Sequence, residues 1–227
     1  MRDHPTSVML FAAGFGTRMK HLTADLPKPL VQVAGRALID HTLDSAREIN
    51  PDVIVANLHY LPHMIVAHLA DTDVHTITES PEILDTGGGL RNALPILGNA
   101  PVVTMNTDAI WSGPNPAKLA MDAWQPDKMD ALLVCIPIQQ TVGYQRGGDF
   151  SMSPDGHIKR GPDLVYGGVQ IIKTDRLAAI PDKAFSLNVL WDQMLAEGRL
   201  FGLPYPGRWC DVGHPGGISQ AEALLNV

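Results

Sequence analysis

Apolar residues return along this chain in two rhythms. Short stretches rich in apolar and β-branched residues at Val8–Ala12, Asp52–Asn57, Val74–Thr78, Pro101–Met105, Ala131–Ile136 and Val169–Ile172 predict β-strands. The first is apolar throughout, which suits burial on both faces of a sheet. Between the runs, apolar positions recur at helical spacing. Leu38, Ile39, Leu43 and Ala46 predict a helix over Ala37–Ile49, ended by Asn50-Pro51. Further helices are predicted at Leu61–Leu69, with Pro62 in the first turn, and at Leu90–Leu97, Pro116–Trp124, Val189–Ala196 and Ser219–Leu225. Strands alternating with helices imply a doubly wound α/β sheet with mostly parallel strands.

The rhythm changes after Pro137. Gln145 to Gly168 is glycine-rich, and Asp155-Gly156 between Phe150-Ser-Met and His157-Ile-Lys is a hairpin signal. We expect one domain over residues 1–227, with 137–168 as an inserted antiparallel lobe over the sheet. Short strands at Phe201–Leu203 and Trp209–Val212 follow.

Three stretches interrupt this frame, each following a predicted strand. The first is Phe11-Ala-Ala-Gly-Phe-Gly-Thr-Arg18, opening a long loop from Phe15 to Leu30 that contains Pro27-Lys28-Pro29. Gly14 and Gly16 lack Cβ and allow close approach to phosphate oxygens, and Arg18 and Lys28 add fixed positive charge. The second is the loop Glu82–Gly89, whose glycines would let a flat base lie against bare backbone beside Thr86. The third is Asn106-Thr107-Asp108. In open α/β sheets ligands sit beyond the carboxyl ends of the strands, so these stretches can share one crevice. Asp108 and Asp211, brought together there, would suit Mg²⁺, a hard cation taking oxygen ligands. The first loop lacks the Gly-Lys-Ser/Thr ending of a P-loop and the third glycine of a dinucleotide fingerprint, which disfavours a dehydrogenase. No nucleophile elbow and no Cys–His pairing are legible.

Composition narrows the function classes. A formal net charge of -7 argues against a nucleic-acid binder. An acidic chain that binds anions must gather cations locally, and Arg2, Arg18, Lys20, Lys28 and Arg36 cluster near the start. Cys135 and Cys210 lie in apolar runs and read as buried thiols of a reducing compartment. No apolar run is long enough to span a bilayer and no secretory segment is evident, so a cytoplasmic location without membrane attachment is expected.

Together, Gly-x-Gly-Thr-Arg, Pro27-Lys28-Pro29-Leu30, Thr86–Gly89, Asp108 and Asp211-Val-Gly resemble the sugar-1-phosphate nucleotidyltransferases. The Glu-x-x-x-Thr-Gly-Gly-Gly loop, Gly148-Asp149-Phe150 and the Trp-x-Asp-Val-Gly ending are most similar to the short N-acetylmuramate-1-phosphate uridylyltransferase branch. The resemblance implies a Rossmann-like fold with a small antiparallel sugar-binding insertion. It implies that Ala12, Ala13, Gly14, Glu82 and Gly88 lie along the nucleoside, and that Gly16, Thr17, Arg18 and Lys28 hold the phosphates. Asp108 and Asp211 would hold Mg²⁺; Asn106, Asp149, Arg160, Gly168 and Asn188 would meet the sugar phosphate. The implied reaction joins a nucleoside triphosphate and a sugar-1-phosphate and releases pyrophosphate, catalysed by Arg18, Lys28 and Asp108 in a monomer or homodimer. A mannose-1-phosphate guanylyltransferase, or a sugar-nucleotide sensor without turnover, stays open on these residues.

Overall fold

In the computed structural model, residues 3–226 are described; Arg2 of the N-terminal basic cluster lies outside them. The chain runs β1 (Ser7–Phe11), β2 (Gln32–Val33), β3 (Arg36–Ala37), α1 (Leu38–Arg47), β4 (Val53–Leu58), α2 (Pro62–His68), β5 (Val74–Thr78) and α3 (Asp85–Leu97). It continues through β6 (Val102–Asn106), β7 (Ala109–Ser112), α4 (Pro116–Ala123), β8 (Ala131–Pro137), β9 (Thr141–Val142), β10 (Phe150–Met152) and β11 (Ile158–Arg160). It ends with β12 (Leu164–Ile172), α5 (Asn188–Ala196), β13 (Leu200–Pro204), β14 (Arg208–Asp211) and α6 (Gly216–Leu225).

The main sheet is mixed and mostly parallel. β1 pairs in parallel with β4 and with β6, and β4 with β5. β12 runs antiparallel between β6 and β8, and β8 pairs in parallel with β13. Alternate residues of one strand feed separate cores on the two faces: Val8 and Leu10 on one, Met9 on the other. β8 divides likewise, Leu132, Val134 and Ile136 against Ala131, Leu133 and Cys135. That is why these strands read as unbroken apolar runs. A third core cluster, including Met19, Leu38, Ile110, Val212 and Leu224, packs α6 against a small sheet ordered β7-β14-β9.

Several expectations are corrected. The hairpin of β10 and β11 forms as expected, but β10 is bonded to β12 through Phe150↔Leu164, so the hairpin extends the sheet edge instead of lying over the sheet. The strand β7 directly follows Asp108, where the apolar pattern predicts no strand, and is held by its ladder with β14. The long loop after β1 contains 3-10 turns at Thr17–Thr23 and Lys28–Leu30. The largest change is α3, which begins at Asp85 and takes in all three glycines expected in a loop. Glycine is a poor helix former in isolation, but here neighbours fill the space where side chains would stand. A Cβ on Gly87 would meet the Phe185 ring at 2.3 Å, one on Gly88 the Lys183 carbonyl at 2.6 Å, and one on Gly89 the Glu79 carboxyl at 2.6 Å. Both cysteines are free and buried as expected, and burial pushes the Cys210 thiol up to about 11. No helix among the described residues is long and apolar enough to cross a membrane.

Candidate functional site

The register of the sheet sets the position of the site. Phe11, the last residue of β1, stands beside Asn57 of β4 and Asn106 of β6. The three strands therefore end at about the same level, and the chain leaves β1 and β6 at this carboxyl edge into the loops that carry Gly14 and Asp108. Thr107 ties two of these exits together by donating its hydroxyl to the Phe11 carbonyl at 2.8 Å.

A cleft in three connected compartments lies along this edge. The central one is lined by Ala12, Ala13, Gly14, Lys28, Asn57, Ile83, Asp85, Thr86, Asn106 and Asp108, among others. A second is bounded by Gly14, Gly16, Thr17, Arg18, Lys28, Asp108 and Gly213. The third lies toward the hairpin and includes Asp149, Arg160, Tyr166, Gln170, Asn188 and Trp191. It shares Phe11, Asp85, Thr86 and Asn106 with the central compartment.

The cationic end is built by close packing. Gly16 has φ +64, and a Cβ there would come within 2.9 Å of Lys28 Cβ. A glycine thus both turns the loop and lets the Lys28 segment lie against it. Lys28 Nζ reaches Asp108 Oδ2 at 2.6 Å. Arg18 Nη1 stands 3.3 Å from Asp211 Oδ2, in space that a side chain on Gly213 would fill. Asp211 is the ladder partner of Ala109, and the Val212 N–H donates to the Asp108 carbonyl at 2.9 Å. Two acidic residues far apart in sequence are therefore brought to one end of the β7–β14 ladder, Asp108 just before β7 and Asp211 at the end of β14. Burial alone would push the Asp108 carboxyl up. The charge and hydrogen bond of Lys28, helped by Arg18, outweigh burial and hold it below the usual carboxylate range. Of the remaining N-terminal basic residues, Arg36 is committed to Asp44 at 2.8 Å.

The third compartment carries its own cation. Arg160 donates to Asn188 Oδ1 at 2.8 Å and to Asp192 Oδ1 at 2.7 Å, with its guanidinium 4.9 Å from the centre of the Phe150 ring. Asp149 accepts from the Tyr166 N–H at 2.9 Å, which fixes its carboxylate against β12. Gly168 lies behind the cleft wall at φ +89; a Cβ there would strike the Asn106 side chain at 2.8 Å, so this glycine positions Asn106.

Two residues expected along the nucleoside do not line these compartments. Gly88 is buried against Lys183 and Leu84, and Glu82 is exposed outside all three. Sequence reasoning missed a buried pair that organises this wall. Asn57 Oδ1 accepts from the Ala12 N–H at 3.1 Å, and Asn57 Nδ2 donates to Glu79 Oε1 at 2.7 Å. Glu79 Oε2 accepts from the Leu84 N–H at 2.7 Å. This network joins the first loop, β4 and the entry to α3. A signal was available for one of them: Asn57 is a polar residue near the carboxyl end of the otherwise apolar β4, whereas Glu79 follows the polar β5. Arg91 was also missed. It donates to the carbonyls of Ile180 at 2.6 Å, Asp182 at 2.6 Å and Lys183 at 3.0 Å, fastening the segment that leads to Asn188.

The arrangement offers polar space beside two cations, a partly apolar central compartment, and a further polar compartment with an aromatic wall. Residues 8–148 match the model of the MobA-like NTP transferase domain. An N-acetylmuramate alpha-1-phosphate uridylyltransferase of Caulobacter vibrioides is 39% identical, over 99% of this chain and 99% of its own. A protein of the same name from Neisseria meningitidis is 31% identical over 96% of this chain and 98% of its own. Among solved structures, a putative glucose-1-phosphate thymidylyltransferase from Bacillus anthracis superposes with a TM-score of 0.80 at 15% identity, covering 96% of this chain and 94% of that one. With a family model spanning most of the chain and full-length relatives above 30% identity, the chain belongs to the MobA-like NTP transferase family, among its sugar-1-phosphate nucleotidyltransferases.

Proposed function

We propose that this protein joins UTP to N-acetylmuramate-1-phosphate, with Mg²⁺, giving the nucleotide sugar and pyrophosphate. The observation that carries the reading is the meeting of Lys28–Asp108 and Arg18–Asp211 at the cationic end of one continuous cleft. The nucleoside occupies the central compartment beside Ala12, Ala13 and Gly14. The triphosphate lies against Gly16, Thr17, Arg18 and Lys28. The sugar phosphate enters from the third compartment, past Asn106, toward Asp149, Arg160 and Asn188. The two full-length relatives named for this activity support the choice of substrates.

The reaction is an in-line displacement. A phosphate oxygen of the sugar-1-phosphate attacks the α-phosphorus, the bond to the β-phosphate bridging oxygen breaks, and pyrophosphate leaves. The attacking group is already anionic near neutral pH, so positioning and charge neutralisation suffice without a general base. Lys28 and Arg18 exchange their carboxylate partners for phosphate oxygens and oppose the charge that grows on the leaving pyrophosphate. Asp108 and Asp211 fit a hard divalent cation, because their donors are carboxylate oxygens, one just before β7 and one at the end of its ladder partner β14. No group of three or more His, Cys, Asp or Glu side chains fit for a metal occurs among the described residues, so these two carboxylates would hold the ion together with oxygens from outside the protein. When bound, Mg²⁺ supplies neutralisation and orientation of the phosphates. Every residue in this scheme lies in one chain, so a monomer or a homodimer serves it equally, and a cytoplasmic location suits its substrates.

The test is pyrophosphate release from four nucleoside triphosphates against a panel of sugar-1-phosphates, with Mg²⁺ and with EDTA. Metal-dependent release with UTP and N-acetylmuramate-1-phosphate is expected. Preference for GTP and mannose-1-phosphate would keep the chemistry and overturn the substrates.

A further inference from the structure

Asp85 occupies the one stretch of cleft wall where the central and third compartments meet. Of the four residues lining both, Phe11, Asp85, Thr86 and Asn106, it alone carries a formal charge. Its side chain is exposed. One carboxylate oxygen accepts from the Thr86 N–H at 2.6 Å, and the residue forms no ion pair among the described residues. Its acceptor capacity toward the cleft is therefore largely unspent.

The backbone adds an independent observation. Asp85 has φ +58, a conformation that glycine adopts freely and that aspartate adopts at some cost with a local hydrogen bond such as the one to Thr86. It is held there from both sides. Leu84 donates its N–H to Glu79 and accepts from the Phe185 N–H at 3.1 Å, while the Gly87 N–H donates to the Phe185 carbonyl at 2.8 Å. A side chain therefore stands in the cleft at a position where glycine would relieve the backbone. Residues held this way concentrate at sites where a side chain is needed for function.

The chemistry of the seam limits what Asp85 can bind. Both substrates carry phosphates, which a carboxylate repels. The groups a carboxylate accepts from here are neutral donors. These are a ribose or sugar hydroxyl, the amide N–H of an acylated amino sugar, or a base N–H. We propose that Asp85 is a specificity-determining residue that accepts hydrogen bonds from such a donor where nucleoside and sugar meet. This rests on the nucleotidyltransferase reading above.

The experiment is calorimetric titration of the full-length protein with Mg²⁺ and a non-hydrolysable UTP analogue, then of the analogue-saturated protein with N-acetylmuramate-1-phosphate. Wild type, Asp85→Gly and Asp85→Asn are compared, and Tm is measured for each. Asp85→Gly is expected to raise Tm by about 2–4 °C by relieving the backbone. It is also expected to weaken one titration about tenfold or more, the loss of a hydrogen bond to a charged acceptor. The titration that weakens identifies the donor's source, nucleotide or sugar phosphate. Asp85→Asn keeps the shape and the Thr86 contact, and is expected to weaken the same ligand at least threefold without the rise in Tm. Two results would overturn the proposal: both affinities of Asp85→Gly within twofold of wild type, or a lowered Tm, which would make the side chain a brace for Thr86. A wild type that binds both ligands yet releases no pyrophosphate would sink the catalytic reading while leaving this comparison intact.

Discussion

Replacing Gly89 by alanine sets two physical effects against each other. Alanine is favoured over glycine inside a helix by about 1 kcal/mol, so propensity alone makes the variant more stable. Packing opposes it. The new methyl would lie 2.6 Å from Glu79 Oε1 and 2.7 Å from Asn57 Nδ2, closer than side-chain carbons come to such atoms. Neither neighbour can yield cheaply. Glu79 is 2% exposed and Asn57 is 3% exposed, and Glu79 is bonded to Asn57 and to the Leu84 N–H, while Asn57 also holds the Ala12 N–H. Breaking one such buried bond costs about 1–3 kcal/mol, more where a carboxyl is left short of a partner. The methyl disturbs both residues, so we expect a net loss of about 2 kcal/mol and a Tm lower by about 4–8 °C for a chain of this size. Thermal unfolding followed by circular dichroism measures it. Gly14→Ala, with nothing within 4 Å of the added Cβ, is the control and should leave Tm within about 2 °C. Because Ala12 lines the central compartment, Gly89→Ala should also raise the KM for the nucleotide. A variant as stable as wild type that nevertheless loses nucleotide affinity would refute the packing argument, and would return the glycine run to the role of a bare surface for the base.

Other consequences are more direct. Lys28→Ala and Arg18→Ala should each lower kcat about 10²–10³-fold with the fold retained, since each removes one electrostatic donor to the reacting phosphates; near-wild-type turnover would remove that residue from the mechanism. Arg91→Ala frees the segment that leads to Asn188, so the KM for the sugar phosphate should rise about tenfold or more while that for the nucleotide changes less than threefold. Equal effects on both substrates would reduce Arg91 to a general structural role. Asp130 takes Lys173 at 3.0 Å, Arg176 at 2.7 Å and Arg199 at 2.9 Å, with its side chain 9% exposed. Asp130→Asn leaves those cations repelling one another and should cost about 3–5 kcal/mol in denaturant unfolding. Burial would push the Asp130 carboxyl up, but the hydrogen bonds from Arg199 and Lys173 outweigh it and its pKa is lowered. The folded state therefore binds that proton less readily than the unfolded one. Its stabilisation is present above about pH 4, the ordinary carboxylate value, and is lost as the pH falls further. Asp130→Asn should accordingly show a shallower loss of stability in acid than wild type.

Much of the frame was legible because it depends on local pattern. Runs buried on both faces declared β1, β6 and β8, and helical spacing declared α1. The Gly-x-Gly-Thr-Arg and Pro-Lys-Pro pieces declared the cationic end, because phosphate chemistry needs bare backbone and fixed charge close together in sequence. What stayed hidden depends on distant partners. Nothing near the glycines of α3 announces that Phe185, Lys183 and Glu79 will fill the space they leave, so a helix start read as a loop. The strand β7 is short and exists through its ladder with β14, which arrives near the end of the chain. The same ladder brings Asp211 beside Asp108, a pairing inferred from the fold and not from spacing. Asn57 and Glu79 were passed over because a lone polar residue at a strand end has many ordinary uses; only the three-dimensional bonds show that they carry the cleft wall.

The most direct measurement is ³¹P NMR of wild-type protein with UTP and N-acetylmuramate-1-phosphate, with Mg²⁺ and after EDTA, beside Asp108→Asn under the same conditions. The expected result is growth of pyrophosphate and nucleotide-sugar diphosphate signals in equal amounts with Mg²⁺, abolished by EDTA and reduced at least 10²-fold in Asp108→Asn. Turnover that proceeds undiminished in EDTA or in Asp108→Asn would contradict the claim that transfer is organised by the paired cations and carboxylates of this cleft.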